Sequence, residues 1–228
     1  MVWRRTVSCG NQNEVKGIDL LINAFAAANR TKQDHLVLTG PASKKVKAAV
    51  DRYNHSTAGN RIILIDRFVS ETEFQCSLLA ADIVAVPYRK ANRPSGIICR
   101  CLAWGIPIVG TDHGWPKWAC ERVGGGWITN IHDTEQFGST LMTALDQSPD
   151  FIQSPSAAAF AQFNTLKNYQ DFWCFGFESR RQNTAGYIRL DQLTGTAFLK
   201  KLPLSIRSSH ITGRRLCNAW LIIPITIS

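Results

Sequence analysis

No stretch of this 228-residue sequence is long and apolar enough to cross a bilayer. The late apolar run, Ala219 to Ile227, is too short and contains Pro224. The opening residues, Met1-Val2-Trp3-Arg4-Arg5, lead into polar residues and glycine, so no signal peptide is expected. The seven cysteines, at positions 9, 76, 99, 101, 120, 174 and 217, repeat no metal-ligand or disulfide spacing. They are expected to be small buried residues in a reducing compartment, in a cytoplasmic protein with no metal and no other cofactor. Cys99 and Cys101 sit two apart on a predicted helix and so face about 200° apart, which prevents a shared metal. No Ser-His-Asp order, metal signature or solenoid repeat is present, and His35, His55, His132 and His210 have no sequence partner. Membrane-spanning, secreted and fibrous classes are thereby excluded.

What is present is an ordinary globular composition, 45% hydrophobic and 19% charged, enough for one large domain or one domain with an appendage. The net charge of +9 is uneven: residues 1–175 hold 18 Lys+Arg against 15 Asp+Glu, and residues 176–228 hold 8 against 2. Only the first part alternates apolar runs with helical spacing, so a boundary is expected near Phe175. The basic tail beyond it reads either as a poorly ordered extension or as an arm for nucleic acid or a membrane surface. It has no recognition-helix motif and no interleaving of aromatic and basic residues, so no specific nucleic acid is expected.

Six short apolar runs predict strands: Arg5–Cys9, Leu36–Thr39, Ile62–Ile65, Ile83–Val86, Ile108–Val109 and Trp127–Ile131. Continuous β-branched runs suit strands buried on both faces of a parallel sheet. Between them, Ile18, Leu21, Ile22 and Phe25 form a helical stripe, Ser70 with Glu73 makes a capping box, and Asp133 with Gln136 opens another helix. The predicted fold is α/β, a doubly wound parallel sheet of about six strands with a basic C-terminal tail.

In the strand order 3-2-1-4-5-6 a ligand binds beyond the carboxyl ends of strands one and four. The loops there, Gly10–Gly17 and Pro87–Gly96, bring Lys16, Arg89, Lys90 and Arg93 beside glycines, which suits an anion. The second loop runs into a helix, Ile97 to Trp104, whose N-terminus offers N–H groups to phosphate at Ser95 and Gly96. The first loop lacks G-x-G-x-x-G, and the P-loop pattern is missing as well, so a phosphate would be held by a lysine and a helix end. His113, beside Asp112 and Gly114, reads as a polar turn or a cleft residue. Trp115 and Trp118 read as core or lid packing, or as a stacking surface for a sugar or base.

Four segments carry a resemblance. Lys16-Gly17-Ile18-Asp19-Leu20-Leu21-Ile22-Asn23-Ala24-Phe25 is similar to the "KG-x-x-x-L-L-x-A-F" segment of family-four retaining glycosyltransferases. Leu36–Gly40 resembles their "L-x-I-x-G" strand, Ala80–Tyr88 their "A-x-D-x-x-x-x-P-S/Y", and Cys101–Asp112 their "A-M-A-x-G-x-P-V-V-x-T-D". Order and spacing hold across roughly residues 4–173. The similarity covers the C-terminal, donor-binding half of their two-Rossmann-domain (GT-B) architecture, so the sheet is expected to be Rossmann-like. The acceptor half has no counterpart here, and a separate acceptor-binding domain or chain is the implied partner.

The resemblance implies a nucleotide-diphosphate-sugar donor. Gly10, Lys16, Ser95 and Gly96 would bind the diphosphate, and Arg67, Phe68, Val69 and Tyr88 the base or ribose. Lys16 and Arg100 would be the catalytic candidates, acting on the departing diphosphate. Three positions depart from the family pattern. Gly10 stands where an arginine is usual, and Asn92 and Arg100 stand where two glutamates are. Arg100 interrupts an apolar helix, so it meets a phosphate or acidic partner or carries its charge to solvent. Two rivals stay open: a module that binds a nucleotide or sugar phosphate without turnover, and a nucleic-acid-associated protein acting through the tail.

Overall fold

The computed structural model describes residues 3–28, 34–56 and 61–163. Six strands, β1 (Arg4–Cys9), β2 (Asp34–Thr39), β3 (Arg61–Ile65), β4 (Ile83–Val86), β5 (Ile108–Thr111) and β6 (Gly126–Thr129), form one sheet in the order β3-β2-β1-β4-β5-β6. Every pairing is parallel, with Val7 of β1 opposite Val37 of β2 and Val84 of β4. The order reverses between β1 and β4, as expected from the alternation of apolar runs and helical stripes. The proposed boundary near Phe175 and the basic tail lie outside the described residues.

The period-two geometry of a strand decides which helix each residue meets. Ile83 and Ala85 join one core with α1 (Ile18–Ala27), α2 (Lys44–Ser56) and α6 (Thr134–Gln147). Val84 and Val86 point the other way, into a second core with α3 (Glu71–Leu79), α4 (Gly96–Trp104), α5 (Gly114–Val123) and α7 (Pro155–Phe163). Both faces of the sheet are therefore covered, which is why its strands read as unbroken apolar runs.

Helix starts follow local chemistry. Ser70 Oγ accepts the Glu73 N–H at 3.2 Å while the Glu73 carboxylate accepts the Ser70 N–H at 2.8 Å, the expected capping box of α3. Asp133 accepts the Gln136 N–H at 2.9 Å at the start of α6. One expectation is corrected: the sixth strand runs over Gly126–Thr129 and ends before Ile131. His113 lies in the bend before α5, at its N-cap position, and its ring lies 3.0 Å from Thr111 Oγ1. Trp115 and Trp118 are packing residues, stacked on one another at 4.5 Å and joined by Phe160 of α7.

At the opposite rim, the N-terminal ends of the strands, Arg4 grips the fully buried Asp34 with two contacts of 2.6 and 2.9 Å and reaches Asp146 of α6. This network fastens β1 to β2 and to α6, leaving the carboxyl rim to the loops.

Candidate functional site

The carboxyl end of β1 turns at Gly10, whose φ of +91° is one that L side chains rarely adopt. A Cβ there would stand 2.9 Å from Lys16 Nζ and 3.8 Å from Ile97 Cδ1 of α4. Gly10 also lies against Gly40, where a Cβ would strike the Gly10 carbonyl oxygen at 2.3 Å. The lysine ammonium thus fills the space above the Gly10 backbone. The chain reaches Lys16 through a single 3-10 turn, Glu14–Lys16, started by Asn13, whose side-chain oxygen accepts the Lys16 N–H at 3.1 Å.

Lys16 Nζ lies 5.3 Å from the centre of the Tyr88 ring, a cation–π contact. The Tyr88 hydroxyl lies 3.1 Å from Ser95 Oγ, and Ser95 is the N-cap of α4 with no side-chain hydrogen bond to that helix. One cluster therefore joins Gly10, Lys16, Tyr88, Ser95 and Gly96, the first residue of α4. Four of these were expected at a diphosphate. Tyr88, expected beside the base or ribose, touches two of them.

Burial lowers the Lys16 ammonium's pKa below the ordinary lysine range, and the neighbouring Cys9 thiol is pushed up to about 12, chiefly by its own burial. Burial likewise raises the Tyr88 phenol. Among the described residues no carboxylate pairs with Lys16. The acids nearest to it in sequence are engaged elsewhere, Glu14 with Lys45 at 3.8 Å and Asp19 with Arg89 at 2.7 Å. A half-buried cation without a counter-ion, beside a helix N-terminus, is a place where a bound anion would relieve an electrostatic penalty.

The other expected residues are arranged differently. Arg67 is held by Glu73 within the α3 capping box, its second contact measuring 3.1 Å, and its own Nη1 reaches the Phe68 carbonyl at 3.3 Å. Phe68 is 83% exposed and Val69 half-buried. No described hydrogen bond or ion pair ties Arg67, Phe68 or Val69 to the Lys16 cluster, although Asp66 beside them accepts the Ala42 N–H at 2.8 Å and so joins the β2 and β3 loops. Arg100 takes the acidic partner: its guanidinium is 2.9 Å from Glu71 and lies 4.9 Å above the Phe74 ring, both on α3. Arg89, grouped with the anion-holding cations by sequence, is occupied by Asp19. Asn92 is exposed.

Gln12 was not singled out by sequence. It is fully buried, and its amide nitrogen donates to the carbonyls of Ser8 at 3.0 Å, Gly10 at 2.8 Å and Thr39 at 3.0 Å. It therefore fixes the turn that Lys16 covers. Only its place three residues past a strand end marked it, and many loop glutamines share that signal.

This chain belongs to the glycosyl transferases group 1 family, whose profile matches residues 4–147. No curated protein sequence matches it. Among solved structures it is similar to Alr3699/HepE from Anabaena, crystallised with UDP and glucose, at 17% identity and a TM-score of 0.54, over 71% of this chain and 43% of that one. It is similar to sucrose-phosphate synthase from Thermosynechococcus elongatus at 17% identity and a TM-score of 0.61, over 79% and 45%. The C-terminal domain of a glycosyl transferase group 1 family protein (LpcC) from Francisella tularensis matches at 16% identity and a TM-score of 0.57, over 70% of this chain and 84% of that domain. The chain thus spans less than half of the first two of these neighbours and most of the C-terminal domain of the third. These neighbours establish a Rossmann-like α/β fold. Among the described residues no helix is long and apolar enough to cross a membrane.

Proposed function

We propose that the described domain is the donor half of a glycosyltransferase, binding a nucleotide-diphosphate sugar at the rim between β1 and β4. With an acceptor-binding domain or chain it would transfer the sugar, with the retention its family resemblance implies. The observation that carries this reading is the Lys16 ammonium, set on the Gly10 backbone without a carboxylate partner among the described residues and facing the Tyr88–Ser95 pair at the start of α4. Diphosphate oxygens placed there meet a cation, a hydroxyl and free helix N–H groups, and their charge grows as the glycosidic bond breaks. The exposed Phe68 offers a face for a base. The UDP in the Anabaena neighbour makes uridine the first base to try. All five described cysteines are free thiols, which supports a reducing, cytoplasmic setting.

A second reading has its own observation. Arg100 is taken up by Glu71 and Phe74, and Asn92 is neutral, so the start of α4 presents no carboxylate where the family pattern has two. This favours donor binding without turnover.

Calorimetry of the full chain with UDP and the other common nucleoside diphosphates tests the shared core of both readings. Binding is expected, and Lys16→Ala should weaken it by about 1–3 kcal/mol through loss of a charge-assisted contact. A folded sample that gives no heat with any of them would overturn both.

A further inference from the structure

Arg89 lies in the connection that leads from β4 to α4, yet its contacts lie on the 3-10 turn after β1 and on α1. Its Nη1 and Nη2 grip both carboxylate oxygens of Asp19 at 2.8 and 2.7 Å, in the first turn of α1. The same Nη1 donates to the Glu14 carbonyl, and the Arg89 backbone N–H donates to the Val15 carbonyl at 3.3 Å. One residue therefore engages two successive carbonyls of the 3-10 turn that ends in Lys16, together with the helix that follows it.

The backbones meet at the same place. Gly17, with φ +71°, closes that turn, and a Cβ on it would lie 2.0 Å from the Pro87 carbonyl oxygen, two residues before Arg89. The Lys16 turn is thus pressed directly against the strand end that leads to Ser95. The pair's side chains are 30% and 34% exposed, so solvent screens much of its contribution to overall stability. Its bidentate, planar geometry instead fixes direction.

We infer that the Arg89–Asp19 pair is a latch that positions Lys16, holding the 3-10 turn against the β4–α4 loop so that the ammonium stays over Gly10 and in reach of the α4 N-terminus. Arg89 and Asp19 are positioning residues and do not touch the anion themselves. The effect on ligand affinity rests on the donor reading above; the effect on the turn does not.

The experiment uses the full chain and four variants: Arg89→Gln, Asp19→Asn, Arg89→Lys, and the exchanged pair Asp19→Arg with Arg89→Asp. Three quantities are read: hydrogen exchange of individual backbone amides, the rate of reductive methylation of Lys16, and affinity for UDP and for inorganic pyrophosphate. Arg89→Gln and Asp19→Asn should each speed exchange at Gly17 and Ile18 and methylation of Lys16 by roughly tenfold, with Leu141 and Ala144 of α6 unchanged. Arg89→Lys, which keeps the charge but loses the fork, should fall between, and the exchanged pair should recover part of the loss. UDP and pyrophosphate affinity should fall in step with Lys16 reactivity.

Unchanged exchange and methylation in either folded single variant would overturn the latch. So would acceleration spread equally to α6, because the pair would then be a general stabiliser. If one single variant fails to fold, the other and Arg89→Lys carry the same comparison. If the wild type binds neither probe while the turn responds as described, the latch stands and the donor reading falls.

Discussion

Lys16 sets stability and binding against each other. Its ammonium is partly desolvated and meets no carboxylate among the described residues, so removing the charge is expected to stabilise the domain. Lys16→Met keeps the stem's contact with Tyr88 and removes that charge. It should raise the melting temperature, by about 2–4 °C per kcal/mol of penalty relieved, while UDP binding weakens. Differential scanning calorimetry of both proteins checks the first half; a fall in melting temperature would mean that the ammonium stabilises the domain. The lysine itself was legible as the residue before a glycine at a switch point. Its isolation was not, because Asp19 stands three residues away in sequence and only the fold assigns it to Arg89.

Helix α3 shows how far an element can be read in advance. Ser70 and Glu73 predict its start, since a capping box is local and needs only the spacing. What joins this box to the site loops is not local. Arg67 binds Glu73, and Arg100 of α4 binds Glu71, so two of the arginines expected at the ligand are tied to the first turn of α3. An arginine in an apolar helix signals a partner without saying which, and Glu71 lies on another helix. Helix α2 was missed because Val46, Val50 and Tyr53 are its only buried positions in a strongly polar segment. The Arg67 guanidinium, followed by the Ser70 N–H and hydroxyl, holds Glu73 at about 2 against an ordinary 4.5. The folded pKa is the lower one, so this contribution is complete above pH 4.5 and disappears as the pH falls toward about 2. Compared with Glu73→Gln, the wild type should melt higher at pH 6, and the gap should close in that acid window. A gap that persists unchanged to pH 2 would assign the effect to packing.

At the scale of the molecule, the sheet order was the most legible feature, because six apolar runs alternating with helical stripes leave few right-handed windings. On the donor reading, the described domain supplies one wall of a cleft. In-line placement of donor and acceptor supplies about 7–11 kcal/mol of a transfer barrier, and that placement needs a second wall. The purified 228-residue chain, incubated with nucleotide sugars and a panel of acceptors, should therefore release some free nucleotide but form little glycosylated product. Robust transfer would show that the chain completes the cleft by itself or with a second copy. The sheet also has two ends with different duties. Lys16, Ser95 and their loops occupy the carboxyl rim, while Arg4, Asp34 and Asp146 fasten the opposite one, about 20 Å away along β1 at roughly 3.3 Å per residue. Cellular quality control weighs a protein by how often it opens, and so it registers damage at the Arg4 rim. A variant altered only at the Lys16 ammonium would keep its abundance and its fold, so quality control would register nothing of what the site had lost.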